Sequence, residues 1–112
     1  MGFQIGAALL EGCVLAALSQ GDAYGYVLTQ RVRQAVELSE STLYPVLRRL
    51  EREGCLSSYD QNYQGRNRRY YRITPQGRER YQAIRQQWIR FSRQIDHVLL
   101  EEESHEQRPI SG

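Results

Sequence analysis

The sequence predicts a mainly α fold with one small β-hairpin, and three observations predict it. Apolar residues recur at helical spacing in three successive segments before Gly54. Two short strand-like runs follow, separated by a polar stretch that contains Gly65. From Thr74 onward, apolar residues repeat by three and four along one continuous segment. Three helices, a hairpin and a long C-terminal helix are the order of a winged helix-turn-helix.

Each element follows from local pattern. Leu10, Val14, Leu15 and Leu18 share one face of the first helix, which Ser19-Gln20-Gly21-Asp22 ends. A second helix is expected from about Ala23 to Ala35, with Tyr24, Leu28, Val32 and Ala35 on its inner side. Gly25 lowers helix propensity there, which implies close packing. Ser39 is a good N-cap for the third helix, and Gly54 a good stop. Leu43, Val46, Leu47 and Leu50 form its buried stripe, while Pro45 removes one backbone bond.

Leu56 to Tyr59 and Arg69 to Ile73 are the expected strands, with Asp60 to Arg68 as a long basic tip. Thr74 caps the last helix and Pro75 takes its favoured first position. That helix is expected to end near Leu100. The expected organisation is therefore a winged-helix unit over 1–74, a dimerisation helix over 75–100 and an acidic flexible tail over 101–112.

The net charge of +2 hides a strong asymmetry. Residues 48–94 carry twelve Arg against four acids, while 95–112 carry one Arg against five acids. A basic middle points to an anionic partner. All fifteen basic residues are Arg, whose planar fork suits phosphates and guanine edges.

Two features turn that charge into a candidate interface. The third helix leaves Ser39, Ser41, Thr42, Tyr44, Arg48 and Arg49 outside its apolar stripe. One helix fits a major groove, with its leading residues at base edges. On the hairpin, Arg66, Arg68, Arg69 and Arg72 cluster around Gly65 and Asn67, within reach of the phosphate backbone or an adjacent minor groove. A solvated helix face and a solubilising turn are the plain alternatives. Their combination favours double-stranded DNA.

On the last helix, Tyr81, Trp88 and Ile95 form one heptad column and Ile84, Phe91 and Val98 the other. This seam spans roughly 27 Å and begins after the winged unit is complete. A second copy of the chain would bury it. A homodimer follows, presenting two readers to a two-fold-symmetric operator. The alternative is a helix folded back on its own domain.

The stretch from Ser39 to Gly54, Ser-Glu-Ser-Thr-Leu-Tyr-Pro-Val-Leu-Arg-Arg-Leu-Glu-Arg-Glu-Gly, resembles the signature of PadR-type winged-helix regulators. So does Gly65 to Thr74, Gly-Arg-Asn-Arg-Arg-Tyr-Tyr-Arg-Ile-Thr, and Gly25-Tyr26 also matches. The similarity covers about residues 8–100. It implies a repressor-like homodimer with a recognition helix, a basic wing and one C-terminal dimerisation helix. Two departures stand out. The connection from Val36 to Leu38 is short, and Asp22 replaces the usual Pro after the first helix. Some relatives bind flat compounds between subunits through a Trp like Trp88, so Trp88 is either interface core or the platform for a planar effector.

Other chemistry lacks its motifs. No Gly-rich phosphate loop, HExxH pair or Cys/His cluster appears, so no cofactor and no enzyme is expected. His97 and His105 lie near the expected tail, and His97 beside Asp96 is most simply a surface residue. Cys13 and Cys55 lack CxxC spacing and fit buried, inert thiols. The apolar run Ala7 to Leu18 is interrupted by Glu11 and has no basic residue before it, so a cytoplasmic location with no membrane partner is expected. Two other functions remain open, a protein-binding winged helix and a small-molecule sensor.

Overall fold

The computed structural model describes residues 6–107. In chain order the elements are α1 (Ala7–Ser19), β1 (Ala23–Tyr24), α2 (Gly25–Arg33), α3 (Glu40–Arg52), β2 (Leu56–Tyr63), β3 (Arg66–Ile73) and α4 (Pro75–Gln107). The three strands form one antiparallel sheet in the order β1-β3-β2. This is the winged helix-turn-helix, extended by a single long helix.

α1 lies at the centre. Val14, Leu15, Ala17 and Leu18 are buried against Leu28 and Val32 of α2, Leu43, Val46, Leu47 and Leu50 of α3, and Leu56, Tyr71 and Ile73 of the sheet. The predicted stripe of α3 is buried at all four positions. Arg31 ties α2 to the end of α1, donating to the Ala17 carbonyl at 3.3 Å and the Gly21 carbonyl at 3.1 Å. The Ala17 carbonyl also accepts from the Gln20 N–H at 3.4 Å, and Gly21 lies just beyond the end of α1.

The second helix is shorter than expected at both ends. Ala23 and Tyr24 form a strand, paired with Tyr71 and Tyr70, rather than a first helical turn. The i, i+4 spacing of Tyr24 and Leu28 fits a helix, but a tyrosine beside another strand's tyrosine is equally at home in a sheet. At the far end α2 stops at Arg33, and Ala35 is exposed rather than buried.

The hairpin also differs from expectation. The strands run to Tyr63 and from Arg66, so a two-residue turn replaces the long tip. Gln64 and Gly65 have φ of 52° and 80°. Two positive φ values match the right-handed twist of a tight hairpin. The Asn62 side-chain oxygen accepts from the Gly65 N–H at 3.0 Å. The outer half of the hairpin escaped sequence detection because it projects past the core. With both faces wet, no apolar alternation marks it.

Both cap predictions correspond to observed bonds. The Ser39 hydroxyl accepts from the Thr42 N–H at 3.4 Å, and Gly54 ends the stretch with φ of 80°. The Thr74 hydroxyl accepts from the Gly77 N–H at 2.9 Å. From there α4 runs 33 residues to Gln107, past the expected end at Leu100. Residues 108–112 of the expected tail lie outside the described residues. α4 stretches the molecule to 68 × 28 × 21 Å.

The base of α4 corrects one expectation. Tyr81 and Ile84 pack against the domain's own core rather than standing free for a partner. Gly12 on α1 makes this possible, because a Cβ there would lie 2.6 Å from Ile84 Cγ2. The seam therefore divides. Its first two members hold α4 to α1, while Trp88, Phe91, Ile95 and Val98 remain exposed.

Candidate nucleic-acid interface

The apolar stripe of α3 fixes which side chains face outward. Ser41, Thr42, Tyr44 and Arg48 are exposed. Ser39 is exposed too, but its hydroxyl serves the cap and lies 2.8 Å from Ser41 Oγ and 3.3 Å from Thr42 Oγ1. Tyr44 leans back toward α2, where a Cβ on Gly25 would lie 3.0 Å from its hydroxyl oxygen. The absent side chain at Gly25 thus gives Tyr44 its place, which accounts for the close packing expected there.

Arg49 does not join this face. Its Nε donates to Glu11 Oε2 of α1 at 2.9 Å. Its Nη2 lies 2.7 Å from the same oxygen, as an ionic contact rather than an aligned hydrogen bond. Arg80 of α4 approaches Glu11 Oε1 at 3.6 Å and also donates to Glu53 at the end of α3. The adjacent arginines therefore differ in role. One step along a helix turns the side chain about 100°, which carries Arg49 inward from Arg48.

The wing carries the second cationic group. Along β3, Arg66, Arg68, Tyr70 and Arg72 alternate with Asn67, Arg69, Tyr71 and Ile73. Arg66 is exposed and has no ion pair among the described residues. Arg69 faces Asp60 at 3.6 Å, with both side chains at least half exposed, so the pair contributes little. Arg72 is committed to the fold. Its Nε donates to Asp22 Oδ2 at 3.1 Å, and Tyr59 donates its hydroxyl to that oxygen at 2.7 Å. Accordingly the Asp22 carboxylate pushes the Tyr59 phenol and the Arg72 guanidinium up from their ordinary values, chiefly through these hydrogen bonds. Asp22, the departure noted at the end of the first helix, thus anchors the wing.

Helix and wing meet in one crevice of about 450 Å³, lined by Tyr44 and Arg48 from α3, Arg68 and Arg69 from β3, and Tyr24 and Tyr26. The sequence missed Tyr24 because its segment looked helical, and nothing in the helical pattern around Tyr26 signalled that it faces the wing. The surface is mainly cationic and aromatic, and Glu40 and Glu51 also line it. It offers no nucleophile paired with a base. Burial raises the thiol pKa of both Cys13, which is partly buried, and Cys55, which is buried, and so favours their protonated forms. Among the described residues no group of His, Cys, Asp and Glu could hold a metal. No described helix is long and apolar enough to cross a membrane.

A second surface lies on α4. Trp88 is 46% exposed, Phe91 54% and Val98 73%, and the stripe extends to Leu99 and Leu100, which heptad spacing did not include. The Trp88 and Phe91 rings lie 6.2 Å apart. With Ala8 and Leu9 of α1 and Ile84, they border an open apolar cavity of about 310 Å³.

The comparisons agree with the fold. The sequence profile of the Transcriptional regulator PadR-like family matches residues 14–83. A transcriptional regulator of Mycobacterium tuberculosis, Rv3488, is 42% identical over 66 residues, which is 58% of this chain and 62% of that protein. The crystal structure of smu.1704 from Streptococcus mutans UA159 superposes with a TM-score of 0.81 at 37% identity, covering 88% of this chain and 93% of that one. A PadR family transcription regulator from Clostridium difficile R20291 gives a TM-score of 0.70 at 30% identity, covering 81% and 97%.

Proposed function

The chain belongs to the PadR-like family of transcriptional regulators, and from that premise we propose that it is a homodimeric repressor that reads a two-fold-symmetric operator in double-stranded DNA. The observation that carries this reading is the shared crevice, where Tyr44 and Arg48 of the recognition helix stand beside Arg68 and Arg69 of the wing. α3 enters the major groove with Ser41, Thr42 and Tyr44 toward base edges and Arg48 toward a phosphate or a guanine. The wing follows the backbone through Arg66, Arg68 and Arg69. Repression then needs only occupancy of a site that transcription requires.

Dimerisation uses the outer part of α4. Trp88, Phe91, Ile95 and Val98 are too exposed and too contiguous for an ordinary monomer surface. A second α4 would cover them and place two copies of α3 about one helical turn of DNA apart. The cavity beside Trp88 supports a planar effector that stacks on the indole between subunits. Such a ligand relieves repression only by binding one dimer geometry better than the other. A fold that reads DNA fits a protein working in the cytoplasm.

Selection of bound duplexes from a random-sequence pool tests the reading. The expected result is an inverted repeat, bound with an affinity that falls steeply as salt rises. Sedimentation should give a dimer, and Phe91→Arg should give a monomer with weaker operator binding. Enrichment of no duplex in dilute salt would refute the proposal.

A further inference from the structure

Arg68 and Arg72 occupy the same face of β3 four residues apart, yet their surroundings differ. Arg72 is paired with Asp22. Arg68 has no hydrogen bond or ion pair among the described residues, but its guanidinium carbon lies 4.3 Å from the ring centre of Tyr24 and 4.3 Å from that of Tyr63. The two rings come from opposite sides, because β3 is the middle strand with β1 on one flank and β2 on the other. The Tyr24 ring is itself braced, 5.5 Å from Tyr70, which lies 5.6 Å from Tyr59.

Rings attract a guanidinium through its flat faces, where it has no N–H to give. They leave its edge, with five donors, free for an anion. Arg68 itself lines the crevice between wing and recognition helix. An unpaired arginine elsewhere on a surface loses considerable rotamer freedom on meeting a phosphate. Flanking rings remove much of that loss in advance.

We infer that Tyr24 and Tyr63 are positioning residues that hold Arg68 ready to seat a backbone phosphate of duplex DNA in this crevice. The inference rests on the proposed DNA reading and adds to it a division of labour within the wing. Arg66 meets phosphate from an unrestrained position, Arg68 from a fixed one, and Arg72 keeps the sheet together.

The test is operator binding across a salt series for the full chain and its variants. Arg68→Ala should lower the slope of log affinity against log salt by about two, the loss of one phosphate contact from each subunit of the dimer. Tyr63→Leu should weaken binding about threefold to tenfold while keeping the slope, because the charge still reaches DNA. Tyr63→Phe should match the parent, since the ring suffices. Tyr63 is 46% exposed at the outer end of β2, so its variants should melt with the parent, whereas Tyr24→Leu also disturbs β1. An unchanged slope in Arg68→Ala, undiminished binding by Tyr63→Leu, or an equal loss in Tyr63→Phe each overturns the inference. A parent chain that binds no duplex overturns both this and the reading beneath it.

Discussion

Arg49 of the recognition helix is bonded inward to Glu11 of α1, with Nε 2.9 Å from Oε2. Removing the carboxylate leaves a largely covered cation without its partner. Complete burial would make that loss worth about 3–5 kcal/mol. Arg49 keeps 32% of its side-chain exposure, and Arg80 stands close by, so solvent screening reduces the figure. Glu11→Ala should cost roughly 1–2 kcal/mol in urea unfolding. Arg49→Ala should leave the salt slope of DNA binding unchanged, and a fall in slope like that from Arg66→Ala would count against an inward role.

Gly25→Ala places a methyl group 3.0 Å from the Tyr44 hydroxyl oxygen. The tyrosine must move by a few tenths of an ångström, and its exposed ring can do so. Alanine also favours the helix by up to about 1 kcal/mol over glycine. The variant should therefore melt within a few degrees of the parent while operator affinity or base preference at one position changes. Identical selected sequences for variant and parent would mean that Tyr44 does not read DNA.

Gly65→Ala forces a side chain to adopt a φ of 80°. The expected cost is about 1 kcal/mol, confined to the turn. Amide exchange should quicken in Tyr63 to Arg66 and remain unchanged in α3. Protection that is equal in the two proteins would argue for a looser turn than the one described.

Glu53 supplies an acid-side prediction. The hydrogen bond from Arg80 holds its carboxyl below the ordinary glutamate value, with burial acting in the opposite direction. A carboxyl lowered on folding adds stability above its unfolded pKa, about 4.3, and loses it as pH falls through the folded value. Glu53→Gln should flatten the decline in urea midpoint below about pH 4. Parallel declines in the two proteins would remove this pair from the acid response.

Sequence pattern located the elements that face the core. The α3 stripe, both caps and the Gly54 stop rest on interactions within a few residues, so a single sequence carries them. Contacts distant in the chain were harder to anticipate. Nothing near Arg49 distinguishes it from Arg48, because its partner lies 38 positions earlier. The strand at Ala23–Tyr24 exists only because β3 returns to it. The same holds for Tyr24 beside Arg68, a pairing created by the fold. The division of the α4 seam depends on Gly12, where an absent side chain carries no periodic signal.

That notch in α1 makes Ile84 the fulcrum of a lever. Beyond it, the axis to Leu100 extends about 24 Å, so a tilt of 5° at the pivot moves the far end by about 2 Å. Small changes of shape beside the bare Cα of residue 12, by substitution or by a molecule lodged against Leu9 and Trp88, are therefore magnified along the arm. Sensitivity to such changes should be greatest at the attached end and decline toward Leu100.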